Sequence, residues 1–511
     1  MIEFKCFVFR QLSLFIVAGL QVITCLIPFN ATAQQIKSQK TVRNSDNLKN
    51  EPGIKKSSDV NMALSGPELD DMNFSASRDN FPWEQFNDSV LKDLVEKGLA
   101  DNPGIKAAKE RIAIARAGSR SALAPLLPSV SAEGMYAISS YDKSLMGMNL
   151  PSVPGMTPST SDVSYSQTFT ATLKAQYLID ITGRYYKNRE AALKDAEAQI
   201  EDAKMASAVL ATQIMQTYYD VVSAQARVEL IEYQIENNSN LLKLVMAQFK
   251  RGIANALDVL QQKQQLHGKE AQLPLAKTFL NISKRELATL AGLDSVAQLP
   301  DITDKMPQIG KGPYKVDFKD IDNLRPDLRA AKERIDAYKN RTDSAKRALA
   351  PTLAISGQYG FKAIKVTDQN HGDIWNAGAV LNVPLFMGGI NHANLDKARA
   401  ATRSAVFALE DTRRKAITRI ENSIEKELRQ KEYLKALVNQ YNAARQTVNE
   451  SKKRYVAGLS TYLNVLAATG SLHLNELALI QAQRDLLKAR INLLSSIGGN
   501  WTQKLSVKNS D

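Results

Sequence analysis

The sequence predicts a mixed α+β membrane protein built as an internal two-fold repeat, each half supplying two strands and a long helical hairpin. Three observations carry this prediction. PGIKAAKERI at Pro103 to Ile112 returns as PDLRAAKERI at Pro326 to Ile335, and two further stretches recur downstream in the same order. Each half also contains two segments in which apolar and polar residues alternate with the period of a strand. Between these lie long runs dominated by Ala, Leu, Glu, Lys and Gln, the composition of an extended helix.

The N-terminus reads as an export signal over residues 1–33. Lys5 and Arg10 precede an apolar run from Leu12 to Phe29, which ends at Ala31-Thr32-Ala33, a small-x-small cleavage site. The apolar run approaches the length of a membrane anchor, but its charged start and cleavage site favour export. Both cysteines, Cys6 and Cys25, fall within it, so a chain cut after Ala33 has no thiol chemistry. Cys25 also offers a lipoprotein acylation site, against which Thr24 stands where Gly, Ala or Ser is usual. Residues 34–80 are polar without apolar periodicity and read as a disordered leader.

Order is expected from Pro82-Trp83, in a first repeat that spans 81–293. Val90, Leu91, Leu94, Val95 and Leu99 recur at helical spacing, with Asp88 or Ser89 as N-cap. A second helix with Ile105, Ala108 and Ile112 on one face ends at Pro125 and Pro128. The period then becomes 2. Val130, Ala132, Tyr136 and Ile138 alternate with Ser129, Ser131 and Glu133, and after a loop at Asp142 to Ser164 the alternation resumes. There Tyr165, Phe169, Ala171, Leu173 and Tyr177 oppose Ser166, Thr168, Thr170, Thr172 and Lys174. Arg184 to Lys250 contains neither Pro nor Gly and predicts one helix, turned at Gly252 into a return helix from Ala256 to Leu290 with a kink at Pro274.

Residues 294–323 form an irregular, equatorial linker, and the second repeat, 324–501, follows the same plan before a tail at 502–511. Its first strand sets Leu353, Ile355, Tyr359 and Phe361 against Ser356, Gln358 and Lys362; its second sets Trp375, Ala377, Ala379, Leu381 and Val383 against Asn376 and Asn382. The stretch His371-Gly372-Asp373 between them reads as a polar loop. Helices from Asn391 to Tyr455 and onward to Ile497 turn at Gly458.

Strands of roughly 9 to 12 residues suit a tilted membrane crossing, and Tyr141, Tyr165 and Trp375 lie where an interfacial aromatic girdle falls. In hydrocarbon an open sheet edge leaves backbone groups unpaired, and four strands are too few to close. Copies of the chain must therefore pool their strands. Two, three or four copies give eight, twelve or sixteen strands, and the residues alone do not choose.

Other classes find little support. The net charge of +13, from 66 basic and 53 acidic residues, is spread without a basic block, which points to a solvated surface and no nucleic acid. His267, His371, His392 and His473 have no ligand-spaced partners, and no nucleophile or phosphate motif is present, so neither an enzyme nor a metal or cofactor site is expected. A secreted coiled-coil scaffold would account for the helices and leave the alternating strands unexplained.

Over residues 82–501 the chain resembles the TolC-type outer-membrane efflux family. The resemblance rests on YLIDITGR at Tyr177 to Arg184, LNVPLFMGGI at Leu381 to Ile390, the Gly252 and Gly458 turns followed by ALDVL and YLNVL, and IGGNW at Ile497 to Trp501. Trp83-Glu-Gln-Phe, LADNPGI and LRPDL are similar in particular to the branch that serves RND-type pumps. It implies a homotrimer whose chains share a 12-stranded β-barrel in outer-membrane lipid, continued by an α-helical periplasmic barrel, an exit duct for drugs or other small toxic compounds. A periplasmic adaptor and an inner-membrane RND-type pump would be the partners, and type I protein secretion the alternative role. By position, Arg251, Gly252, Ile253 and Ala254 with Ala457, Gly458, Leu459 and Ser460 would be the adaptor-contacting tips. Family members often carry aspartates shortly after the second tip; here Asn464 and Ala467 stand there, while Asp258 holds the matching place in the first copy. The resemblance thus points to Asp258, Tyr455 and Asn464 as aperture residues and to weak block by cations.

Overall fold

The computed structural model describes residues 80–142, 163–303, 306–307, 309–310, 316, 318–365 and 369–505. The expected signal segment, Cys25, the leader up to residue 79, most of the loop after Asp142, parts of the linker and the tail beyond Leu505 lie outside the described residues. The chain divides into two compact units. One gathers Leu127–Ile179 and Leu353–Leu381; the other gathers the helices. Elements thus sort by type, each unit drawing on both halves of the duplication.

The strand unit is a four-stranded sheet in the order β1 (Ser129–Asp142), β2 (Val163–Ile179), β3 (Thr352–Lys365), β4 (Gln369–Asn382). Its register accounts for the alternation. Tyr136 pairs with Phe169 and Ala132 with Leu173, while Leu173 pairs in turn with Tyr359 and Tyr177 with Ile355. Since paired residues share a face, the apolar residues of three strands form one continuous surface, with Ser131, Lys174 and Gln358 aligned on the other. From β3 the Tyr359 hydroxyl donates to Asp373 Oδ2 on β4 at 3.2 Å, and the Phe361 ring of β3 lies 6.2 Å from the His371 ring of β4. These contacts carry the ladder through His371-Gly372-Asp373, so the expected polar loop is strand instead. Cross-strand partners override the local turn composition there.

The helical unit opens with a 3₁₀ turn, Pro82–Phe86, and α1 (Ser89–Asp101), where Asp88 accepts from the amides of Val90 and Leu91 at 3.0 and 3.1 Å. α2 (Pro103–Ser121) starts at Asn102, which caps Gly104 N at 2.8 Å and donates to Leu290 O at 3.0 Å. α3 (Arg184–Lys250) and α4 (Ala256–Leu290) form the first hairpin, the latter running unbroken through Pro274. After α5 (Ile321–Leu324) and α6 (Pro326–Arg347), α7 (Ile390–Val456) and α8 (Tyr462–Ile497) form the second. A short α9 (Trp501–Lys504) follows; Thr502 and Leu505 are buried, so packing continues past Trp501.

The main core lies at mid-length of α3. Ile214, Met215, Tyr218 and Tyr219 are fully enclosed with Leu91, Leu287 and Ile491, each such side chain contributing roughly 1.5–3 kcal/mol through burial. Trp83 meets Trp501 edge-on at 6.3 Å, joining the start and end of the described chain. The Tyr218 hydroxyl donates to Asp88 at 2.6 Å, and burial with this carboxylate pushes its pKa well up. α3 is also laced to α6 by Lys194–Glu333 at 3.0 Å and Arg329–Glu201 at 2.7 Å, bonds that cross between the repeats.

Candidate functional site

The residues expected at the tips come together at the ends of the two hairpins. Gly252 and Gly458 sit at φ +72° and +70°, the left-handed conformation that ends a helix and admits little but glycine. A Cβ on either would meet open space, so backbone geometry and not crowding selects them. Arg251, Gly252, Ile253, Ala457, Gly458 and Leu459 are exposed, Leu459 at 79%. Ala254 is buried between the hairpins, and Ser460 is half-buried. Exposed Phe249, Leu257, Leu260, Val456 and Leu463 widen the apolar surface around the turns.

Beneath the turns the two hairpins share one small core of Leu241, Val245, Ala254, Tyr455, Tyr462 and Val465. Of the aperture candidates, Tyr455 lies within this core, its ring 5.7 Å from that of Tyr462, and burial raises its pKa. Asp258 is half-buried and turned back on its own helix: its carboxylate accepts from Asn255 N at 3.1 Å while Asn255 caps Asp258 N at 2.9 Å. Asn464 is exposed and donates to Ser460 Oγ at 2.9 Å. Of these three residues only Tyr455 joins the packed centre.

Sequence reasoning missed a buried hydrogen-bonded chain above that core. The Tyr462 hydroxyl donates to Gln262 Oε1; Gln262 donates to Asn238 O at 2.7 Å; Asn238 donates to Gln234 O at 2.7 Å; and Gln234 donates to Glu476 at 2.7 Å. Tyr462 and Gln262 are among the most enclosed side chains of the described residues, so the first three links are made away from competing water, and the last, to half-buried Glu476, is partly shielded. α8, α4 and α3 are thereby stitched together. The signal was present as Gln234, Asn238, Leu241, Val245 and Gln248, one helical stripe in which amides interrupt the apolar positions. Lys269 and His473 are buried in the same helices; burial with Lys269 and Lys452 nearby lowers the His473 pKa to about 4, and burial raises that of Glu476. Among the described residues no cluster of His, Cys, Asp and Glu is arranged to hold a metal.

The sheet supplies the second feature. Val130, Tyr136, Ile138, Tyr165, Tyr359 and Trp375 are exposed on its apolar face, and β1 and β4 stand at its edges. No helix among the described residues is long and apolar enough to cross a membrane.

The family model described as outer membrane efflux protein matches residues 94–293 and 319–499, taking in both hairpins and all four strands. The chain belongs to the outer membrane efflux protein family. It is 27% identical over 430 residues to the pyoverdine export outer membrane protein OpmQ of Pseudomonas aeruginosa, covering 82% of this chain and 87% of that protein. The outer membrane protein OprJ of the same organism is 26% identical over 439 residues, covering 84% and 89%. In fold it is similar to the Campylobacter jejuni CmeC outer membrane channel, with a TM-score of 0.72 at 19% identity over 88% of this chain and 98% of that one. VceC of Vibrio cholerae gives 0.68 at 22% identity over 82% and 98%. The efflux family member is accordingly an outer-membrane protein that extends into the periplasm.

Proposed function

We propose that this chain is the exit channel of a tripartite, RND-type efflux system, passively conducting drugs or other small toxic compounds across the periplasm and outer membrane. The observation that carries the reading is the register of the sheet. One face carries exposed apolar residues on all four strands, among them Tyr136, Tyr165, Tyr359 and Trp375, with Phe361 and Ala363 buried between them; the opposite face is polar, and two edges await partners. Lipid solvates the first face and water the second, and the edges close only against further copies. Three copies would give a twelve-stranded barrel. The exposed turns at Gly252 and Gly458 would meet a periplasmic adaptor, which hands over cargo from the inner-membrane pump. No chemical step is needed, so the protein would act without enzymatic activity or cofactor.

The test has two parts. The protein is expected in the outer-membrane fraction as a heat-modifiable trimer, and a strain lacking it is expected to become hypersensitive to a panel of toxic compounds. A monomer in the soluble periplasm would overturn the reading. Loss of an exported polypeptide with unchanged compound tolerance would replace it with type I secretion.

A further inference from the structure

The tips carry a charge pattern that helix formation does not require. From Gln248 to Lys263 there are three basic residues and one carboxylate; from Val448 to Asn464 there are again three and one. Both carboxylates are already engaged. Asp258 is held in its capping box, and Glu450 pairs with Arg454 at 3.0 Å. Lys250, Arg251, Lys263, Lys452 and Lys453 have no ion-pair partner among the described residues, and all but the half-buried Lys452 are exposed.

Bases in a last helical turn complement the helix dipole, which explains Lys250, Lys453 and Arg454 singly. It does not explain Lys263, about two turns inside α4, nor why no free carboxylate offsets the cations at either tip. Each added copy of the chain multiplies the excess around a common mouth. Charges of one sign lining a cleft focus the field and enrich counter-ions there, over a reach of about 10 Å at 0.1 M salt.

Resting on the channel reading above, we propose that the periplasmic mouth is an anion-attracting aperture and that the cargo it favours is anionic: carboxylates, phosphates or sulfonates of small organic molecules. The cations draw such solutes to the opening, and the exposed apolar residues beside them, Ile253 and Leu459, accommodate an organic body. Inorganic polyanions should bind at the same place and obstruct it, whereas multivalent cations find no free carboxylate to hold them.

The purified wild-type oligomer in a planar bilayer tests this. In a KCl gradient the reversal potential is expected on the chloride side. A mouth potential of about one kT already enriches monovalent anions over cations roughly sevenfold. Millimolar tripolyphosphate on the periplasmic side is expected to lower conductance, and hexamminecobalt to leave it unchanged. Combining Lys250→Glu, Arg251→Glu and Lys453→Glu should reverse the selectivity and exchange the two blockers' effects. A wild-type channel that prefers potassium, or one that hexamminecobalt blocks and tripolyphosphate does not, would overturn the proposal while leaving the channel intact. An inserted oligomer that conducts nothing would overturn the channel reading itself, and this proposal with it.

Discussion

The long helices of the two hairpins make an instructive pair. α3 and α7 are both 67 residues long and occupy equivalent places in the duplication, yet α3 is buried along most of its middle while α7 keeps only scattered buried positions such as Ala416, Ile420, Glu427 and Leu437. α3 packs against α1, α2, α4, α6 and α8, whereas α7 is served mainly by α8 and α6. Each helix is stabilised accordingly. α3 relies on Ala, Val and Tyr in a dry core; α7 carries Glu410–Arg414, Asp411–Lys415 and Glu425–Arg429 pairs along its own surface. Duplication thus copied an element but not its surroundings. The surface that α7 leaves open, including Val406, Phe407 and Tyr433, is available to other copies of the chain.

If α7 depends on few anchors, its strongest one should matter most. Glu427 and Arg490 are both buried and joined bidentately at 2.6 and 2.9 Å, and Arg490 also reaches Gly310 O at 2.8 Å. Removing one partner strands the other charge, so Glu427→Ala is expected to cost about 3–5 kcal/mol, read as a lowered denaturant midpoint of the detergent-solubilised protein. A loss below about 1 kcal/mol would mean that α7 is held chiefly from outside its own chain.

The layer where the first and second hairpins meet is the next place to press the comparison, because it mixes charge with burial. His473 on α8 faces Lys269 of α4 and Lys452 of α7, with Glu476 one turn along its own helix and Arg445 of α7 near Glu476. Its folded pKa, about 4, lies below the ordinary 6.5, so folding favours the neutral ring. Stability from this site is full above pH 6.5 and is lost as pH falls through 6.5 towards 4, by at most roughly 3 kcal/mol at 1.36 kcal/mol per unit. Glu476 works the other way, since its raised pKa favours the folded state at low pH and weakens it as pH rises. Thermal unfolding of the wild type from pH 7.5 to 4.5 should fall more steeply than that of His473→Gln. Parallel curves would show that the buried ring is open to water.

How much of this was legible follows from what each element depends on. The long helices and the strand faces were readable because periodicity acts along the chain: Tyr136, Phe169 and Tyr359 announce their side by parity alone. The His371–Asp373 strand was hidden, because its pairing to Tyr359 and Phe361 is a property of the neighbouring strand. At the tips, the glycines were visible through their backbone requirement. The Tyr462–Gln262–Asn238–Gln234–Glu476 chain was not, since it draws on three helices far apart in sequence. Asp258 was legible in part: the structure shows its capping bonds, which the spacing from Asn255 could have announced. A carboxylate three residues after Asn255 can serve an aperture or a cap.

The smallest effect separates the two tips themselves. Asn255 and Thr461 are equivalent N-caps, but only Asn255 makes the side-chain bonds of a capping box; Thr461 makes none. Asn255→Ala should therefore destabilise the first turn of α4 by about 1 kcal/mol and speed amide exchange at Asp258 roughly fivefold. Thr461→Ala should leave exchange at Asn464 unchanged, because the start of α8 is held instead by Tyr462 in the core beneath. Equal responses would show that the second turn is capped after all. Unequal ones would mean that the first tip is fixed by its own backbone and the second by its neighbour, which makes the second the easier of the two to move.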